Sequence, residues 1–121
     1  MARVFLDANI FIDLVENRRP ILTDELDKNT LCISSLSAHI LMYITKHKVP
    51  YGKLSNTIDS FSIVPFGLTI CSQALEGPTS DFEDNVQLHS AASAECDIFL
   101  TSDKKLLKLK FFGITQIAQG I

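Results

Sequence analysis

The sequence predicts an α/β fold: a central, mostly parallel sheet of about four to five strands with helices on both faces, giving three α/β/α layers. Three observations predict it. Short apolar runs alternate with segments of helical period, and polar residues follow where the apolar runs end. Strands that alternate with helices are joined by right-handed crossovers, so neighbouring strands run parallel. With 121 residues, of which 46% are hydrophobic, the chain has the size of a single domain, predicted over residues 1–121.

The first half of the chain is predicted to alternate strand and helix twice. Proline is favourable in the first turn of a helix, which places the start of one helix at Pro20. Ser34 or Ser35 can cap another by accepting a hydrogen bond from its first turn. The elements expected are a strand at 3–6, helices at 8–17 and 20–26, a strand at 31–33 and a helix from the serine cap to 46–48.

The second half continues the alternation. Thr69 and Asp81 are predicted to cap one helix each, and Pro65 and Gly67 end the strand before them. The elements expected are a helix at 54–61, a strand at 62–64, helices from Thr69 to 76 and from Asp81 to about 95, a strand at 98–100, a helix at 103–109 and an edge strand at 114–117.

Charge and cysteine content exclude several classes of protein. The net charge of −3 argues against binding nucleic acid by bulk electrostatics, although cations held by acidic side chains would reverse the local sign. Cys32, Cys71 and Cys96 are odd in number and widely spaced, which fits neither a disulfide framework nor a zinc site. No signal peptide and no run of ~18 apolar residues is present, so we expect a cytoplasmic protein without a membrane segment.

Acidic residues stand at the predicted strand ends and at one helix start. Asp7 follows the first strand, Asp103 follows Ile98–Leu100, and Asp84 lies in the first turn of the long helix. The carboxyl ends of parallel strands meet at one edge of the sheet, where ligands of open α/β sheets bind. Carboxylates that converge there would suit a hard divalent cation such as Mg²⁺ or Mn²⁺.

Three segments carry a resemblance to a known family. They are Phe5–Asp13 (FLDANIFID), Asp81–Gln87 (DFEDNVQ) and Ala94–Lys104 (AECDIFLTSDK). In this order and spacing they resemble the PIN-domain family of nucleases, especially its small toxin-like (VapC-type) ribonuclease members. The resemblance covers nearly the whole chain and implies the same three-layer fold.

The resemblance also implies an activity and a site. The activity is metal-dependent endoribonuclease cleavage of RNA phosphodiester bonds, with Mg²⁺ or Mn²⁺ as cofactor, in a toxin that forms a homodimer and pairs with a cognate antitoxin. Asp7, Asp84 and Asp103 match the metal-binding and catalytic acids. Further residues are expected to line the site: Asn9, Asp81, Thr101 and Ser34. Lys104 and Lys105 are expected to contact the RNA backbone.

One position departs from the family pattern. The family usually carries a further Glu on the helix after the second strand, and Ile40 stands at that position. The sequence from Lys28 to Ile58 contains no Asp or Glu, so a shift of alignment supplies no replacement. Two alternatives follow: the remaining acids still hold one ion, or the domain has lost turnover and remains as a binding or regulatory module.

Simpler interpretations stand beside these. Asp7, Asp81 and Asp103 could each act as a helix cap, and Lys104 and Lys105 could belong to a solvated helix face. A third functional hypothesis treats Asp7 as a phosphoacceptor, as in haloacid dehalogenase phosphatases or response-regulator receivers. Asn9 stands where such phosphatases have a second Asp, and no acidic pair precedes Asp7 as in receivers, so this hypothesis ranks last.

Overall fold

A computed structural model describes residues 1–18 and 27–121. The described strands form one six-stranded sheet. They are β1 (Arg3–Leu6), β2 (Thr30–Ser34), β3 (Ser62–Val64), β4 (Ile98–Leu100), β5 (Phe111–Phe112) and β6 (Thr115–Ala118). The described helices are α1 (Ala8–Glu16), α2 (Ser35–Thr45), α3 (Gly52–Ile58), α4 (Leu68–Glu76), α5 (Phe82–Ser93) and α6 (Lys104–Leu107). The predicted helix at 20–26 lies outside the described residues.

The strand order is β3-β2-β1-β4-β6-β5. All neighbours are parallel except β5, which runs antiparallel to β6. The α/β class and the mostly parallel sheet are therefore confirmed, but the sheet is larger than the four to five strands predicted. The strand predicted at the edge is instead β6, which lies between β4 and β5. Gly113, at φ 61°, allows the tight turn that adds the two-residue strand β5.

The sheet separates two hydrophobic clusters. Successive residues of a strand point to opposite faces, so Val4 and Leu6 belong to one cluster and Phe5 to the other. The first cluster includes residues of α1, α2 and α3, and the second includes residues of α4, α5 and α6. In the second, the rings of Phe5 and Phe99 stack with centroids 5.5 Å apart. The prediction of helices on both faces is thus confirmed.

The helix starts test the predicted caps. Ser34 accepts a hydrogen bond from the Leu36 N–H at 3.1 Å, and Asp81 accepts one from the Asp84 N–H at 3.0 Å, as predicted. Thr69 is not a cap, because α4 already begins at Leu68 with Gly67 in the cap position. The helix predicted at 54–61 begins two residues earlier and ends at Ile58, since the chain must leave it before β3. Within the described ranges, no helix combines the length and the apolar character needed to cross a bilayer.

Candidate active site

The carboxyl ends of β1, β2 and β4 lie side by side in the middle of the sheet. Leu6 of β1 pairs with Leu100 of β4, and the backbone N–H of Asp7 donates to the carbonyl of Leu100 at 2.9 Å. The chain leaves the sheet at Asp7 and at Thr101, each directly after its strand. The two predicted site residues are thus neighbours in space although 94 positions separate them in sequence.

Thr101 joins two of the predicted acids. Its side chain is fully buried, and its hydroxyl donates to Oδ2 of Asp7 at 2.7 Å. The same hydroxyl oxygen accepts a hydrogen bond from the backbone N–H of Asp103 at 3.0 Å. One hydroxyl therefore fixes the side chain of Asp7 relative to the backbone that carries Asp103.

Asp7 is a buried carboxylate with two donors. Only 6% of the residue is exposed, and its Oδ1 accepts a hydrogen bond from the Ala8 N–H at 2.8 Å. Burial raises the pKa of Asp7, since it disfavours the charged form. The hydrogen bonds from Thr101 and Ala8 lower that pKa in turn, and the charges of Asp103 and Asp81 raise it again.

Asp84 approaches the same place from the first turn of α5. Its pKa is raised to about 6, first by burial and then by the negative charges of Asp81, Asp7, Asp103 and Glu83. Carboxylates from β1, from the loop after β4 and from α5 thus lie within electrostatic range of one another. The helix N-terminus partly offsets their repulsion, because its free N–H groups favour negative charge.

Asp103 and the following lysines form the outer side of this group. The Asp103 carboxylate accepts a hydrogen bond from the Lys105 N–H at 2.8 Å and so caps α6. The side chains of Lys104 and Lys105 are exposed. This arrangement agrees with the simpler interpretation of Asp103 as a cap, and it leaves both ammonium groups accessible from solvent.

The two remaining predicted site residues differ in exposure. Asn9 is exposed in the first turn of α1. Ser34 is buried, and its hydroxyl oxygen is engaged in capping α2. Ser34 therefore has a structural role that the sequence already suggested, while Asn9 is open to solvent.

Ile40 lies on the inner side of α2. It is 8% exposed and belongs to the cluster that contains Leu41 and Phe11. Ile40 also contributes to the wall of a cavity of about 480 Å³, which is lined as well by Glu83 from the first turn of α5. The helix that would carry the family's further Glu thus presents an isoleucine, and the nearest acid across the cavity is Glu83.

Sequence reasoning missed two buried amides on α5. Asn85 accepts hydrogen bonds from the Thr79 N–H (2.9 Å) and hydroxyl (2.6 Å), and donates to the carbonyls of Ala74 and Thr79, both at 2.9 Å. It thereby ties the segment between α4 and α5 to the start of α5, where Asp84 lies. The only available signal was the presence of uncharged polar residues in the motif DFEDNVQ.

Gln87 is the second of these amides. It is 1% exposed, and its Oε1 accepts a 3.4 Å hydrogen bond from the buried hydroxyl of Ser37 on α2. Its Nε2 has no hydrogen-bond partner among the described residues. Gln87 thus makes a polar link between α5 and α2 three residues beyond Asp84.

The donor chemistry of the acidic group fits a hard divalent cation. Carboxylate oxygens are the ligands that Mg²⁺ and Mn²⁺ prefer, and the repulsion that raises the pKa of Asp84 would be relieved by a positive ion. Within residues 1–18 and 27–121, however, no three His, Cys, Asp or Glu side chains stand close enough together to hold a metal ion. The group is therefore suitable in its donor type and charge, but it is not a preformed coordination shell.

Comparisons with known proteins bear on the fold. No family model and no curated protein sequence matches the chain. Among the solved structures that match it, two do so over nearly the full length of both chains. VapBC2 from Rickettsia felis, bound to a DNA fragment from its promoter, has a TM-score of 0.71 and 17% identity, covering 96% of this chain and 97% of that one. DNA-bound VapBC from Salmonella typhimurium has a TM-score of 0.68 and 18% identity, covering 98% of both chains. At these identities the likeness establishes the fold alone: this chain has the same α/β fold as the matched chains of these VapBC structures.

Proposed function

We propose that this chain is a metal-dependent endoribonuclease that hydrolyses RNA phosphodiester bonds, as the toxin of a toxin–antitoxin pair. The observation that carries the proposal is that Asp7, Asp84 and Asp103 lie within electrostatic range of one another near the carboxyl edge of the sheet. These acids come from three separate parts of the chain: Asp7 and Asp103 raise the pKa of Asp84, and Asp103 also raises the pKa of Asp7. The fold shared with proteins of VapBC complexes supports the same activity.

Asp7 and Asp84 have distinct roles in the proposed reaction. Asp7, fixed by Thr101 and Ala8, is the rigid ligand. Asp84, whose pKa without metal is raised to about 6, is a carboxylate whose ionised form a bound cation would stabilise. Asp7, Asp84 and Asp103 would hold Mg²⁺ or Mn²⁺, which when bound supplies an activated water and offsets charge on the phosphodiester. Lys104 and Lys105, exposed beside Asp103, would contact the RNA backbone.

The proposal includes partners. The two similar structures are VapBC assemblies, which supports a cognate antitoxin for this chain as well. The family resemblance adds a homodimer. Exposed apolar side chains that either partner could cover occur on α4, where Leu68 and Leu75 are exposed one heptad apart.

A second candidate is a non-catalytic binding module of the same fold. The observation that favours it is Ile40, which is packed in the core where the family's further Glu is expected. Such a module would bind RNA or an antitoxin without turnover. Robust cleavage by the wild-type protein would rule it out.

The test is a cleavage assay on single-stranded and structured RNA with Mn²⁺, with Mg²⁺ and with chelator. Wild-type protein should cleave only with metal, and Asp7→Asn should reduce cleavage to background, because the amide cannot serve as an anionic ligand. Asp59→Asn, which removes an exposed acid outside the site, is the matched control and should remain active. Cleavage that survives Asp7→Asn or proceeds in chelator would contradict the proposal.

A further inference from the structure

A cavity beside the acidic group has an aromatic wall, with a lysine close to one of its rings, that the proposed reaction does not use. It measures about 480 Å³ and is lined by His39, Ile40, Tyr43 and Ile44 of α2 and by Glu83 of α5. The α2 residues are spaced so that they share one helix face. Glu83 immediately precedes Asp84, so one wall of the cavity belongs to the same helical turn as the proposed cleavage site.

The aromatic wall is built for stacking. The rings of His39 and Tyr43 lie 6.3 Å apart at an interplanar angle of 28°. The Lys46 ammonium lies 5.3 Å from the centre of the Tyr43 ring. Despite both neighbours Tyr43 remains 70% exposed. An exposed ring flanked by a cation is the combination with which proteins hold single-stranded nucleic acid, since bases stack on the ring and phosphates meet the cation.

The charges around the cavity indicate how a nucleotide would lie in it. Glu83 on the α5 side repels phosphate, whereas Lys46, close to the Tyr43 ring, attracts it. The base is therefore directed onto the ring of Tyr43, and the backbone runs past Lys46.

We infer that the His39–Tyr43–Lys46 face binds one unpaired nucleotide of a single-stranded RNA, adjacent to the phosphodiester that is cleaved. The position of that phosphodiester rests on the proposed function, but the stacking itself does not. A base paired in a duplex cannot present its face to Tyr43, so the site selects single strands.

The experiment is fluorescence anisotropy with a labelled single-stranded oligoribonucleotide, in chelator so that no cleavage occurs. Tyr43→Ala should weaken binding about tenfold, the usual loss for one base stack, while Tyr43→Phe should bind nearly as wild type. Phe111→Ala is the matched control: it removes an aromatic that is 59% exposed at the far edge of the sheet, and should not change binding. A duplex of the same sequence should bind more weakly than the single strand.

Three results would overturn the inference. The first is equal affinity of Tyr43→Ala and wild type for the RNA, and the second is equal affinity of the wild type for duplex and single strand. The third is that Tyr43→Ala loses affinity for a protein partner but keeps its affinity for the RNA. The last would make this face a protein-docking surface. Failure of the proposed function gives a different pattern, in which RNA binds through Tyr43 but is never cleaved. If cleavage occurs and Tyr43→Ala leaves both affinity and cleavage unchanged, the proposed function stands and this inference fails.

Discussion

The end of β1 and the start of α5 both bring a carboxylate to the same place, but they hold it differently. Asp7 is almost fully buried, and each of its oxygens accepts a hydrogen bond from the fold. Asp84 is half-buried, and after burial the main influences on its pKa are other negative charges. The pKa of both acids is raised, but the sheet edge supplies a carboxylate that is held in place by two hydrogen bonds, whereas the helix supplies one that is surrounded mainly by other negative charges.

Removing the Thr101 hydroxyl would break the fixed side of this comparison and has the largest expected effect. Thr101→Val keeps the shape of the side chain but leaves Oδ2 of Asp7 and the Asp103 N–H without partners. We expect a loss of about 2 kcal/mol in the free energy of unfolding, measured in urea. Cleavage should fall by a factor on the order of 10 to 100, since both acids lose their placement.

Thr101→Ser is the control for this change, because it retains the hydroxyl. It should recover most of the stability and activity. If Thr101→Val unfolds at the same urea concentration as wild type, the hydroxyl does not organise the site.

Replacing Asp84 tests the helix side of this comparison. Its expected effect on the free energy of unfolding is smaller than that of Thr101→Val and opposite in sign. The pKa of Asp84 is about 6 in the folded chain, above its ordinary value of 3.8. The folded state therefore binds this proton more tightly than the unfolded state does. The ionised carboxylate costs stability above about pH 6, and that cost shrinks to nothing as the pH falls to about 4.

Asp84→Asn should accordingly raise the metal-free free energy of unfolding at pH 7.5 by on the order of 1 kcal/mol, as solvent screens a half-buried group. The gain should disappear near pH 4. Urea unfolding at the two pH values measures both, with Asp59→Asn as the control. Destabilisation by Asp84→Asn at pH 7.5 would show that the acid is held by favourable contacts, as Asp7 is.

Ile40→Glu sharpens the comparison by adding a further carboxylate, this one from α2, and has the smallest expected effect. The side chain can extend into the cavity that Ile40 shares with Glu83. We expect Mn²⁺ to bind several-fold more tightly, measured by calorimetry, because carboxylates are preferred ligands. Ile40→Gln has the same shape without the charge and should not gain affinity. Equal affinities for the two variants would mean that α2 does not reach the ion.

The sequence was sufficient to predict the ends of β1 and β4, because a buried apolar run followed by a capping residue marks both. It did not predict β5, since two phenylalanines before a glycine carry no strand periodicity. The sequence places β6 at the edge of the sheet because β5, the strand beyond it, is not predicted. The sequence predicts Thr69 as a cap because threonine suits that role, but α4 begins one residue earlier, at Leu68.

Within the candidate site, residue types could be predicted and bonding could not. Asp7, Asp84 and Asp103 stood out because acids at element ends are conspicuous in sequence. The double role of Thr101 depends on the pairing register of β1 and β4, which brings together residues 94 positions apart. The buried amides of Asn85 and Gln87 were missed because α5 has weak amphipathic character, so its inner face is not distinguished by polarity.

The hydrogen bonds at Asp7 also limit how many new bonds it can form. A carboxylate has about four acceptor directions, two on each oxygen. The Ala8 N–H occupies one on Oδ1, and the Thr101 hydroxyl occupies one on Oδ2. One acceptor direction remains free on each oxygen. The fold therefore determines the directions from which an incoming ion or water can bind Asp7.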